Sequence, residues 1–138
     1  MTPSLAAAAL YAGLGGLIAL WHAWVVISLR FRLAVSIGDG GQPRLARAMR
    51  GQANFTEYAP LMFVLLFAMA LMGAPAWVVH VFGAVFILAR VMHAAHFLAA
   101  DAPRWLRFHG ALLTLICVGL GGAGVAAHAF ARIAWGGA

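Results

Sequence analysis

Of 138 residues, 65% are hydrophobic and only 9% are charged, and the mean hydropathy is +0.97. A soluble domain carries about 25% charged residues, so this chain cannot cover a water-facing surface and reads as an integral membrane protein, one domain over residues 1–138. Nine basic residues, all arginine, against three acidic ones leave +6; they cluster at the ends of apolar runs, where arginines orient membrane helices, so no nucleic-acid partner is expected.

The first uncharged run extends from the N-terminus to Leu29. It is too long for a signal-peptide core and has no basic n-region, so it is expected to be retained as a span. The second run, Tyr58 to Val79, is entered from a polar extension and interrupted by Gly73-Ala-Pro75, a stop-and-restart signal between two helices. The third covers Trp77 to about Ala100 with Arg90 inside it, and the fourth runs from Phe108 to Ala131. Each is near the ~20 residues that about 30 Å of hydrocarbon requires. These spacings predict an all-α, four-helix membrane bundle.

Arg30, Arg32, Arg44, Arg47 and Arg50 lie between the first and second spans, and Arg104 and Arg107 between the third and fourth. The Gly73–Pro75 turn has no charge, and the C-terminus offers Arg132 alone. Positively charged loops stay inside, which predicts both termini away from the cytoplasm. Trp21, Trp24, Trp77, Trp105 and Trp135 mostly lie near span ends, as interfacial anchors do. Gly13, Gly15 and Gly16 in helix one, and Gly119, Gly121, Gly122 and Gly124 in helix four, are expected to let backbones approach closely, in a tight bundle or an oligomer. Cys117, amid an apolar run, reads as a small buried hydrophobe. Gly38-Asp-Gly-Gly41 lacks the ending of a phosphate loop and reads as a turn.

The polar stretch before the second span carries most of the chemistry. Arg47, Arg50, Asn54 and Glu57 follow at spacings of three, four and three, so they share one helical face, with Gln52 well round from it. An ionisable group at membrane depth costs at least about 2.5–3.5 kcal/mol. Either a salt-bridged bundle interior or a polar cavity would offset that cost. In a cavity, Arg50 would grip a carboxylate as a bidentate fork, Glu57 an ammonium and Asn54 a peptide group, which suits a small zwitterion with separated carboxylates. A second cluster comprises Arg90, His93 and Phe97 with His96 beside them, followed by Arg104 and Arg107. His93-x-x-His96 has no third ligand nearby, so no metal is expected. His22, His80, His109 and His128 read as hydrogen-bonded interior or interfacial residues. A transporter would need a polar stripe through the bilayer, and Leu61 to Met72 and Phe108 to Ala127 are almost wholly apolar.

Arg50-Gly-Gln-Ala-Asn-Phe-Thr-Glu-Tyr-Ala-Pro60 resembles the signature of the MAPEG superfamily (membrane-associated proteins in eicosanoid and glutathione metabolism). Gly38-Asp-Gly-Gly-Gln-Pro43, Arg90-x-x-His93 and the arginine-rich turn into helix four look like its bacterial branch, and the resemblance covers essentially the whole chain. It implies a homotrimer of four-helix subunits with glutathione, the co-substrate, bound between protomers near the cytoplasmic face. By position, Arg50, Asn54, Glu57 and Tyr58 would contact glutathione from one subunit. Arg30, Gln52 and His93 match positions that also contact it, some from the neighbour. The family's thiolate-stabilising arginine, at the start of helix four, matches Arg104 best, with Arg107 a close rival. Phe97 stands where several members carry tyrosine, so no ring hydroxyl is implied there. The implied activity is glutathione transfer or peroxide reduction on a lipophilic small molecule that arrives laterally from membrane lipid, in a bacterial inner membrane. The alternative is a non-catalytic membrane protein of the same fold that binds another thiol or a lipid.

Overall fold

A computed structural model describes residues 1–136 as four helices: α1 (Pro3–Leu33), α2 (Pro43–Leu71), α3 (Ala76–Leu98) and α4 (Arg104–Trp135). All four are long and apolar enough to cross a membrane, and no strand occurs among the described residues. The expected break falls where Gly73 takes a left-handed φ of +83° and Pro75 caps α3. The polar stretch before Tyr58 is itself helical from Pro43 onward, so the arginines of that stretch belong to α2. Likewise α1 continues past Leu29 to Leu33, and Arg104 opens α4. Between α1 and α2, Asp39 Oδ1 accepts from the Gly41 amide at 3.0 Å, forming the expected turn.

Short connections make the helices alternate in direction. The Ser4 hydroxyl donates to the Ala74 carbonyl at 2.7 Å, and Tyr11 and His80 hydrogen-bond at 3.0 Å, which ties the start of α1 to the α2–α3 turn. The opposite end therefore gathers Arg30, Arg32, Arg44, Arg47, Arg50, Arg104 and Arg107, and Arg132 stands at the far end. Helices α2 and α3 touch each other and both remaining helices, whereas α1 and α4 do not meet. The α2–α3 pair is thus the spine, with α1 on one side and α4 on the other. Leu45, Met62, Leu66, Val79 and Phe86 fill the core. The outer surface is leucine-rich, and all five tryptophans are exposed on it, the distribution required when the solvent is lipid.

The glycines depart from expectation. Gly15 and Gly121 do pack inside the bundle, against Phe63 and Met69, but Gly13, Gly16, Gly119, Gly122 and Gly124 have open space around them. Close approach to a neighbouring backbone occurs at Gly110, where a Cβ would lie 2.8 Å from the Ala89 carbonyl oxygen and 3.0 Å from the His93 nitrogen. Because these neighbours are backbone, only glycine lets α4 reach α3 there. Gly51 does the same for α2, whose Cβ would meet Phe97 at 2.6 Å. Both contacts bring the polar residues of α2, α3 and α4 within reach of one another.

Candidate functional site

At the centre is Arg90, fully buried although it sits on a membrane-spanning helix. Its guanidinium donates to Asn54 Oδ1 of α2 at 3.0 Å, His93 Nδ1 one turn along α3 at 2.9 Å, and Thr114 Oγ1 of α4 at 3.1 Å. The Thr114 hydroxyl in turn donates to the Gly110 carbonyl at 2.8 Å. One arginine therefore cross-links three helices. It also fixes chemistry: a guanidinium has no acceptor, so His93 Nδ1 must accept and the ring proton resides on Nε2. Asn54, with its oxygen engaged, keeps its amide N–H groups to offer.

These residues back a cleft of about 350 Å³ among α2, α3 and α4, lined by Arg47, Arg50, Asn54, His93, Phe97 and Arg107. The Arg107 guanidinium lies over the Phe97 ring at 5.6 Å from its centroid, and that ring packs tilted on His93 at 4.7 Å. Phe97 thus serves as a platform that holds the arginine at the cleft wall. Arg104 lines a neighbouring groove instead. Arg50 and Glu57 form an ion pair at 3.6 Å, with side chains 66% and 49% exposed. So loose and open a pair contributes only about 0–1 kcal/mol. The salt-bridged interior that the sequence allowed is therefore not what Glu57 makes; the buried charge of the bundle is Arg90.

The helical face that the sequence assigned to Arg47, Arg50, Asn54 and Glu57 divides in use. Arg47 donates to the His96 and Ala100 carbonyls, and Arg44 to those of Phe97 and Leu98. Together they satisfy the orphan carbonyls at the end of α3. His96 turns to the Pro103 carbonyl at 3.1 Å, away from His93, so the two histidines do not converge. No group of three metal-ligating side chains forms among the described residues. Arg30 donates to Gly38 O at 2.9 Å and contacts Met49, on the α1 side of α2, and does not enter the cleft within one chain. Gln52 and Tyr58 are half-buried on α2 and do not line it either. His22 corrects an expectation: neither ring nitrogen has a partner, and the buried ring packs on Phe55 at 5.6 Å. His80 and His109 do hydrogen-bond, to Tyr11 and to the Trp105 carbonyl.

Two residues of the site escaped sequence reasoning. Thr114 carries a signal in retrospect, as the one hydroxyl in an apolar helix and four residues after the tightly packed Gly110. Arg90 clusters with His93 in the sequence, but nothing there shows that it positions both Asn54 and His93.

A family model described as the MAPEG family matches residues 8–127. The chain is also similar to the inner membrane protein YecN of Escherichia coli K12 and to that of Escherichia coli O6:H1, at 40% identity over 85 residues in each case. The match covers 62% of this chain and 65% of the relative, just under two thirds of its length.

Proposed function

The chain belongs to the MAPEG family, and from that premise we propose that it is a glutathione-dependent transferase or peroxidase of the inner membrane, assembled as a homotrimer. The observation that carries this reading is the cleft in which Arg50, Asn54, His93 and Arg107 converge. Arg50 grips a glutathione carboxylate, Glu57 releases its loose partner to take the amine, and Asn54 and His93 Nε2 donate to peptide carbonyls. Arg107 faces the thiol. A free thiol has a pKa of about 8.5, and lowering it to about 6.5 needs roughly 2.7 kcal/mol of preference for the thiolate. A permanent guanidinium in a partly dehydrated cleft is suited to supply that.

The proton leaves to solvent at the arginine-bearing end, which we assign to the cytoplasmic side on the positive-inside rule. The thiolate then forms a sulfur–carbon bond with an electrophile as the leaving group departs. With a hydroperoxide, it attacks the distal oxygen and releases the alcohol, and a second glutathione converts the resulting sulfenic acid to disulfide and water.

The cost of exposing Glu57 to lipid supports assembly with neighbouring subunits, and the trimer is the number the family implies. Glu57 is exposed in one chain and lies about 20 Å along α2 from its start by helical rise. Left against lipid there, a carboxylate costs several kcal/mol, and a neighbouring subunit removes that cost while Arg30, Gln52 and Tyr58 reach the shared ligand from the interface. The open glycine faces of α1 and α4 allow close helix contact between chains.

Thermal unfolding of the detergent-solubilised protein tests the binding reading. Glutathione and S-methylglutathione, each at a hundred times its Kd, should both stabilise the fold by about 2.7 kcal/mol, and Glu57→Ala should abolish both effects. A folded protein that responds to neither compound contradicts it.

A further inference from the structure

Beside the cleft runs a second, larger groove, about 1000 Å³ in volume, whose two ends differ in chemistry. At the arginine-bearing end stand Arg47, Arg104 and Arg107, with Asp101 as the one acidic group on the wall. Arg47 is held by the α3 carbonyls, which makes it a fixed positive charge. Among the described residues Arg104 and Arg107 have neither an ion pair nor a hydrogen bond to their side chains, and Asp101 pairs with none of the three. Three positive charges against one negative leave +2 at this end.

From there the groove follows one stripe of α4 toward the bilayer interior. Phe108, Leu112 and Leu115 come at spacings of four and three, and all three are exposed on the helix's outer side. A soluble anion would use the arginines and leave this stripe bare, and an uncharged lipid would use the stripe and leave the arginines bare. A molecule with an acidic head and an acyl chain satisfies both.

We propose that this groove binds an anionic phospholipid of the leaflet on the arginine-bearing side, its phosphate on Arg104 and its acyl chain along Phe108, Leu112 and Leu115. Guanidinium and phosphate match in charge and in fork geometry. A zwitterionic lipid brings its own ammonium to a site that already carries net positive charge, so the groove discriminates between the two. The groove and the cleft share Arg47, Arg107 and Ala111, so the lipid lies next to the thiol-binding site.

The test needs no glutathione, so it stands or falls separately from the catalytic reading. Bound lipid is counted by native mass spectrometry on the detergent-solubilised protein titrated with phosphatidylglycerol, phosphatidylcholine or inorganic phosphate. Half-saturation with phosphatidylglycerol should come at about one tenth of the phosphatidylcholine concentration. Arg104→Gln should raise it about tenfold, while Arg132→Gln at the opposite end leaves it unchanged. Arg104 is exposed at the first position of α4, so its variant keeps the fold, which an unchanged unfolding midpoint without lipid verifies. Equal binding of the two lipids, an equal loss in Arg132→Gln, or displacement of phosphatidylglycerol by equimolar inorganic phosphate overturns the proposal.

Discussion

Arg90→Ala is expected to prevent the protein from being recovered folded. The substitution leaves Asn54 Oδ1, His93 Nδ1 and Thr114 Oγ1 facing an empty space inside the bundle. Each newly unpaired buried group costs about 1–3 kcal/mol, and truncating so large a buried side chain adds a cavity cost of about 2–5 kcal/mol. Against a total stability of about 5–15 kcal/mol, that sum is decisive. Arg90→Met separates the contributions: it fills the space and removes a buried charge, but still strands the three acceptors. Arg90→Lys keeps the charge and loses the fork that reaches three helices at once. Size-exclusion profiles and unfolding midpoints in detergent should therefore rank wild type first, Lys next, Met below it and Ala last. Thr114→Val, which removes one acceptor of the three and leaves one N–H of the buried guanidinium unpaired, should cost about 1–3 kcal/mol, less than Arg90→Ala. An Arg90→Ala protein as stable as wild type would show that the guanidinium does not organise the bundle.

Arg107→Ala should leave the fold intact, since the residue is exposed, and lower kcat for conjugation of an aryl halide by about 10²–10³-fold, the effect of removing one preorganised donor to a developing charge. KM for glutathione should change little, because Arg50, Asn54 and Glu57 read the rest of the molecule. The signature separates a residue acting on the thiol from one acting on binding: Glu57→Ala should raise KM, and Arg107→Ala should lower kcat. Arg107→Lys should restore part of the rate, as a point charge without the planar surface that stacks on Phe97. Loss of glutathione binding in Arg107→Ala would instead make the residue a carboxylate anchor.

The four spans were legible because their signals are local. Apolar runs of about twenty residues, a Gly-Ala-Pro break and asymmetric arginines all act within one or two helical turns, and the helices end close to where those signals fall, although α2 begins at Pro43, well ahead of its apolar run. The α2 motif was legible for the same reason, since residues at three- and four-residue spacings share a face whatever packs against it. Partner choice on that face was not. Arg47 turns to the end of α3 because the His96, Phe97 and Leu98 carbonyls there lack helical partners, and α2 can supply donors only when the two helices are neighbours. The glycines were legible only in part, for the same reason. Of seven in α1 and α4 that suggest close packing, Gly15 and Gly121 pack inside the bundle and five do not, and Gly51 and Gly110 make the approaches that assemble the site. A missing side chain permits contact, and tertiary geometry decides where contact is made. His22 has no partner although a polar residue among apolar ones usually finds one, and nothing in its local sequence distinguishes it from His80, which does.

The proposed reaction begins when the cleft ionises a glutathione thiol. Its most direct test is the ultraviolet difference spectrum of the purified protein on adding glutathione at pH 7, where the free thiol is mostly protonated. The predicted result is a thiolate band that grows to one equivalent per site, is absent with S-methylglutathione and is lost in Arg107→Ala. Saturable binding without that band, or a band that survives in Arg107→Ala, would contradict it.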